Sequence, residues 1–173
     1  RAAMFEIKKD LVSLPDLNHC ALLVIGDSVT DQSLAELTEY CFHDNEIAQS
    51  VQMIVCDNAE KLLKSHREGQ KPLGFGISDL LSRDVDGTDS RRETTLLSVM
   101  NSRKEEKLYN LPYFEIENNQ CVHRGWQMYK GETPVYRLSR TEMQLLKLSK
   151  DSFGSGDIKL QNGSETSVIS IKS

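Results

Sequence analysis

Six apolar residues in succession, Cys20-Ala-Leu-Leu-Val-Ile25, run straight into Gly26-Asp27-Ser28. Successive strand residues point to opposite faces, so a strand that is apolar throughout must be covered on both. That is the condition of strands in the parallel sheets of α/β proteins. Thr30 or Asp31 then caps a helix in which Leu34, Leu37, Tyr40 and Cys41 recur every three to four positions, leaving Glu36 and Glu39 for solvent. Strand, acidic turn and helix form the opening unit of an open α/β sheet. Ligands of such sheets gather at the carboxyl ends of the strands, which in this unit means Asp27 and Ser28.

The pattern continues down the chain. Val51-Gln-Met-Ile-Val-Cys56 is a second strand rich in β-branched residues, and Asp57-Asn58 caps a helix over 59–67 that Gly69 stops. Leu73-Gly-Phe-Gly-Ile-Ser-Asp-Leu-Leu81 reads as a third strand, followed by an Asp84-Val-Asp-Gly87 loop. Ser90 and Glu93 make a capping box for a helix bearing Leu96, Leu97 and Met100, and Leu111–Glu117 is a fourth strand opened by Pro112. Residues 118–133 fit either a loop with a short helix or a hairpin turning at Asn118-Asn119. Pro134–Leu138 is a fifth strand, and Ser139 with Glu142 boxes a last helix carrying Met143, Leu145, Leu146 and Leu148. The reading is an α/β fold, a doubly wound, parallel, five-stranded sheet with helices on both faces. It places a lead or linker over 1–17, the domain over 18–150, and a flexible tail or edge hairpin over 151–173, where Asn162-Gly163 is a turn signal.

A chain of 173 residues with 38% hydrophobic residues suits one such domain. Its net charge of −5 leaves no basic track for a nucleic-acid backbone, and no apolar run reaches the length of a membrane span. The lead shows no signal-peptide pattern. Cys20, Cys41, Cys56 and Cys121 are widely spaced and beside apolar residues, as reduced core thiols of a cytoplasmic protein would be. Cys41/His43 and Cys121/His123 are the pairs a zinc site would have to use. Two residues apart share a face on a strand but not at a helix end, so the first pair is badly placed.

The order of Leu23-Val-Ile-Gly-Asp-Ser28, Gly76-Ile-Ser-Asp79, Asp84-Val-Asp-Gly87, Asn110–Ile116 and Val135–Arg140 resembles the receiver domain of two-component response regulators over residues 18–150. The resemblance implies strand order 2-1-3-4-5, a phosphoacceptor position at Asp79, and a metal site shared by Asp27 and Asp79 that would take Mg²⁺. Gly26 stands where the family has its first acid. Glu117 or Asn118 stands at its hydroxyl position, and Ser139 and Arg140 at its Lys-Pro. With those groups missing, phosphoryl charge is uncompensated, so the resemblance implies a degenerate pseudo-receiver that needs no cofactor. It would act through protein contact with a kinase, phosphotransfer or output domain, and Tyr136, Met143, Gln144 and Lys147 are the implied contact residues.

The alternative class is a hydrolytic enzyme. Gly26-Asp27-Ser28 matches the nucleophile motif of Gly-Asp-Ser esterases, but the one Asp-x-x-His, Asp16 to His19, precedes the first strand. At about 3.3 Å per residue that separates base from nucleophile by more than about 20 Å. Asp27, Asp31, Asp57 and Asp79 would be the acids of an Mg²⁺-dependent nuclease.

Overall fold

The computed structural model describes residues 17–29, 31–65, 72–82, 94–118, 120–149, 156–162 and 165–171. After a 3₁₀ turn at Leu17–His19, the elements are β1 (Leu22–Gly26), α1 (Asp31–His43), β2 (Gln52–Cys56), α2 (Ala59–Lys64), α3 (Leu73–Ser82), α4 (Leu96–Lys104), β3 (Leu108–Glu117), β4 (Gln120–Lys130), β5 (Thr133–Leu138), α5 (Arg140–Ser149), β6 (Gly156–Asn162) and β7 (Glu165–Ile171).

The main sheet has five strands in the order β1-β2-β3-β4-β5. β1 runs parallel to β2 in register from Leu22↔Gln52 to Gly26↔Cys56, and β2 parallel to β3 through Val55↔Tyr113 and Cys56↔Phe114. β3–β4 and β4–β5 are antiparallel. The fold is therefore α/β with a mixed sheet, and the all-parallel 2-1-3-4-5 order does not occur. In that order β1 would be central. Here β1 is an edge strand, and the strand buried at every residue is β2. Cover on both faces, which the apolar run of β1 does report, is a separate matter from pairing on both edges.

Alternation sorts the core into two layers. Ile25, Val51, Met53, Val55, Leu111 and Tyr113 pack against Leu34 and Cys41 of α1 and Leu96 and Val99 of α4. On the opposite face Ile54, Cys56 and Phe114 pack against Leu62 of α2 and Ile77 and Leu81 of α3. Each large apolar side chain so buried contributes about 1.5–3 kcal/mol relative to exposure. A smaller cluster joins Trp126 and Leu138 to Met143 of α5.

Residues 73–82 form a helix where the sequence pattern suggests a strand. Leu73, Ile77 and Leu81 recur at four-residue intervals and supply one buried stripe, which outweighs the intrinsic cost of Gly74 and Gly76. A Cβ on Gly74 would lie 3.8 Å from the Cβ atoms of Ala21 and Leu22, so this end of α3 sits close on the start of β1. The Asp84–Gly87 loop, the Ser90/Glu93 box and the Gly69 stop lie outside the described residues. Leu108 begins β3, and Pro112 is inside it, just before its pairing with β2 starts at Tyr113. Residues 118–133 resolve as the antiparallel β3–β4–β5 arrangement, with Asn118 at φ 49° in the first turn.

The β4 strand is bulged opposite Tyr113/Phe114, where Gly125 has φ 142°. A Cβ at Gly125 would stand 2.1 Å from the Leu138 carbonyl oxygen, so only glycine lets β5 pass this close. β6 and β7 pair as a separate antiparallel hairpin that Asn162↔Glu165 closes, and the backbone of β6 approaches α5.

Candidate functional site

Asp27 follows β1 at the carboxyl edge of the parallel strands, its amide donating to the Cys56 carbonyl at 2.8 Å. Beside it, the amide of Asp57 donates to Phe114 O at 3.1 Å, so both acids end parallel strands as their sequence positions suggest. A long-range cation occupies this edge. Arg137 of β5 places Nη2 3.1 and 3.3 Å from the two carboxylate oxygens of Asp27, and Nε 3.2 Å from Gln127 Oε1. Its guanidinium lies over the Tyr113 ring at 3.6 Å from the centroid, and the Tyr113 hydroxyl donates to Asp27 at 3.4 Å. The guanidinium thus joins the two outer strands of the sheet over its middle strand.

Two further contacts hold the β4–β5 hairpin over the α1/α4 layer. Thr133 donates to the Asp31 carboxylate at 2.7 Å, and Arg103 of α4 pairs with Glu132 while donating to Thr38 Oγ1 at 2.6 Å. Beneath them Tyr109 and Tyr129 stack at 5.3 Å, and the Tyr109 hydroxyl donates to Gly131 O at 2.7 Å. Burial pushes Tyr129 up to about 12 and raises Tyr109 and Tyr113 as well. Thiols respond in the same direction, Cys56 to about 12 and Cys121 to about 11, both through desolvation, and Cys41 upward. A nucleophile or general base at neutral pH requires shifts of the opposite sign.

The other residues singled out in the sequence do not converge on Asp27. Asp79 is on α3, and its neighbour Ser78 donates to Gln52 Oε1 at 2.9 Å, at the amino end of β2. The pair needed for a residual Mg²⁺ site is thereby divided between opposite ends of the strands. Ser28 is exposed beside Asp27, while His19 lies before β1, so no esterase pair forms there. Glu117 ends β3 and pairs with Arg124, and Asn118 turns the chain. Ser139 and Glu142 complete their capping box, with Ser139 N donating at 2.7 Å and Glu142 N at 3.2 Å, and Arg140 is the first residue of α5. These bonds hold the Glu142 carboxyl below the usual range. Met143 is buried on Trp126, and Gln144 and Lys147 are 8% and 7% exposed, on a helix that β6 approaches. Those three are not surface contact residues. Tyr136 is 54% exposed, its hydroxyl donating to Glu142 at 3.1 Å. Among the described residues no group of three or more His, Cys, Asp or Glu is placed to hold a metal ion.

Residues 1–116 match the family model described as the spore germination protein N-terminal domain, of GerAC type. The chain belongs to this family. The crystal structure of the GerBC protein has the same fold, with a TM-score of 0.60 over 95% of this chain at 16% identity. This chain spans about half of that one, 47% of its length. No curated protein matches. Membership in the GerAC-type family corrects both functional readings of the sequence, the response-regulator receiver and the hydrolase. The receiver motifs fail individually too, because the strand that should carry Asp79 is a helix and β1 lies at the sheet edge. Arg137, Tyr113 and Gln127 carried no local signal, since Arg137 meets Asp27 across 110 residues.

Proposed function

We propose that this chain serves spore germination through protein contact rather than through chemistry of its own. The observation that carries the reading is the clasp at the carboxyl edge. Where an α/β enzyme keeps a crevice for substrate, Asp27, Tyr113, Gln127 and Arg137 are spent on one another. Family membership supplies the process, and the surface suggests the mode. β5 is an outer strand of the sheet, and Val135 and Tyr136 on it are 48% and 54% exposed. Among the described residues no strand pairs with the outer edge of β5, and such an edge flanked by apolar side chains suits a protein partner that adds main-chain hydrogen bonds.

The test uses spores of the host that encodes the chain. Deletion should slow the loss of refractility after a germination stimulus while spore yield is unchanged. Complementation with Val135→Glu/Tyr136→Glu, a double variant expected to keep the wild-type melting temperature, should fail to restore the rate. Unchanged germination in the deletion would overturn the role, and full restoration by the double variant would overturn the contact at β5.

A further inference from the structure

The face of the β3–β4 pair turned away from the clasp buries two polar groups. In regular antiparallel register Asn110 opposes Met128, and Pro112 opposes Trp126. Residues opposite one another share a face, as do residues two apart on one strand, so Asn110, Pro112, Trp126 and Met128 lie together. Trp126 and Met128 belong to the apolar cluster with Met143 and Leu146, so α5 roofs this face. Tyr113 and Gln127 of the clasp alternate with these residues along the two strands and take the other face.

Trp126 is 3% exposed, and its Nε1 is sealed from solvent with no hydrogen-bond partner among the described residues. Asn110 Oδ1 is sealed and unpartnered in the same way. One group is a donor and the other an acceptor. Around the indole pack Leu138, Met143 and the His123 ring, which stands perpendicular to it with centroids 5.4 Å apart. Each polar atom gives up its bonds to solvent on folding, a loss that folded proteins rarely leave uncompensated. The two do not bond each other. Diagonal neighbours on one sheet face have Cβ atoms less than about 8 Å apart, and an indole and a carboxamide both reach into that space. A water that accepts from N–H at about 2.9 Å and donates to an oxygen at about 2.8 Å spans up to about 5.7 Å. It fits a gap too long for one hydrogen bond and short enough for two.

We propose that a single buried water bridges these groups, accepting from Trp126 Nε1 and donating to Asn110 Oδ1, and so ties β3 to β4 beneath α5. Water is the occupant that the sealed position selects. It both donates and accepts, as the unlike pair requires, and it is small enough to be enclosed as the helix docks. The site is independent of the contact proposed at β5.

Trp126 is the one tryptophan of the chain, so its indole proton gives a single identifiable signal in the ¹⁵N-labelled full chain. A rotating-frame Overhauser experiment should show a cross-peak between that proton and the water resonance, opposite in sign to the diagonal, as a proton held beside a bound water gives. Asn110→Leu keeps the branched shape and removes the acceptor. It should abolish the cross-peak and move the indole proton upfield. An absent cross-peak in the wild type would leave the His123 ring as the acceptor of the indole, a cross-peak of the diagonal's sign would mean that the indole exchanges with bulk solvent, and a cross-peak surviving Asn110→Leu would mean that Asn110 is not the second anchor. Each of these overturns the assignment. If Asn110→Leu does not fold, the wild-type cross-peak and its sign decide alone.

Discussion

Arg137 and Asp27 join opposite edges of one sheet, the guanidinium of β5 meeting the carboxylate that follows β1 at 3.1 Å. Both side chains are 42% exposed, so solvent screens the pair and its direct worth is about 0.5–1 kcal/mol. The Tyr113 ring beneath Arg137 adds a cation–π contact of about 0.5–1 kcal/mol that does not depend on Asp27. Arg137→Met should therefore destabilise more than Asp27→Asn. A double-mutant cycle by urea unfolding should give a coupling below about 1 kcal/mol that shrinks in 1 M salt. Coupling that salt leaves unchanged would mean the pair is not an ionic clasp.

Gly125 is what lets that clasp close. Alanine there would meet the Leu138 carbonyl at 2.1 Å in a backbone conformation, φ 142°, that L side chains rarely adopt. Gly125→Ala should cost about 2–4 kcal/mol or prevent folding. Gly131→Ala is the comparison, because φ 61° imposes about 1–2 kcal/mol of strain there but no atom lies within 4 Å of the new Cβ. Equal melting temperatures for the two variants would show that β5 does not cross Gly125 as closely as described.

Features set by neighbours in sequence are readable, and those set by distant partners are not. The Ser139/Glu142 box and the Asn58 cap are legible because each interaction spans three residues. Asp27 is legible as a strand end for the same local reason. Its partner Arg137 is not, because a strand arginine looks the same whether it meets solvent or a carboxylate 110 residues away. The burial of Met143, Gln144 and Lys147 depends on where the chain after α5 folds back, which helical periodicity does not contain. Strand order fails likewise, since the apolar run of β1 records cover by helices and says nothing of how many strands lie beside it.

The helix over Leu73–Ser82, where the apolar positions suggest a strand, sets the expected effect of substituting Gly76. Gly76 is exposed in the helix and a Cβ there would meet nothing within 4 Å. Gly76→Ala should stabilise the chain by about 0.5–1 kcal/mol, since alanine loses less backbone entropy and gains no clash. A melting temperature that does not rise would count against helix α3.

The buried thiols and phenols set the alkaline limit of stability. Cys56 and Cys121 titrate near 9 when free, and desolvation lifts them to about 12 and about 11 in the fold. Tyr129 is lifted from 10 to about 12, and Tyr109 also rises. Between the free and folded values the unfolded chain binds fewer protons than the native one, so stability falls as pH rises. The contribution of these groups is fully present below about pH 9 and is lost progressively from there toward pH 12. Urea unfolding at pH 7, 9 and 10.5 should show a flat first interval and a steep second one. Cys56→Ala/Cys121→Ala should lower stability at pH 7 through the cavities it leaves but reduce the slope above pH 9. The same shifts keep these thiols protonated in the native chain, so iodoacetamide at pH 8 should label Cys56 only as fast as the protein opens. Rapid native-state alkylation of Cys56, or a slope above pH 9 that survives the double substitution, would show that burial of these thiols does not govern the alkaline transition.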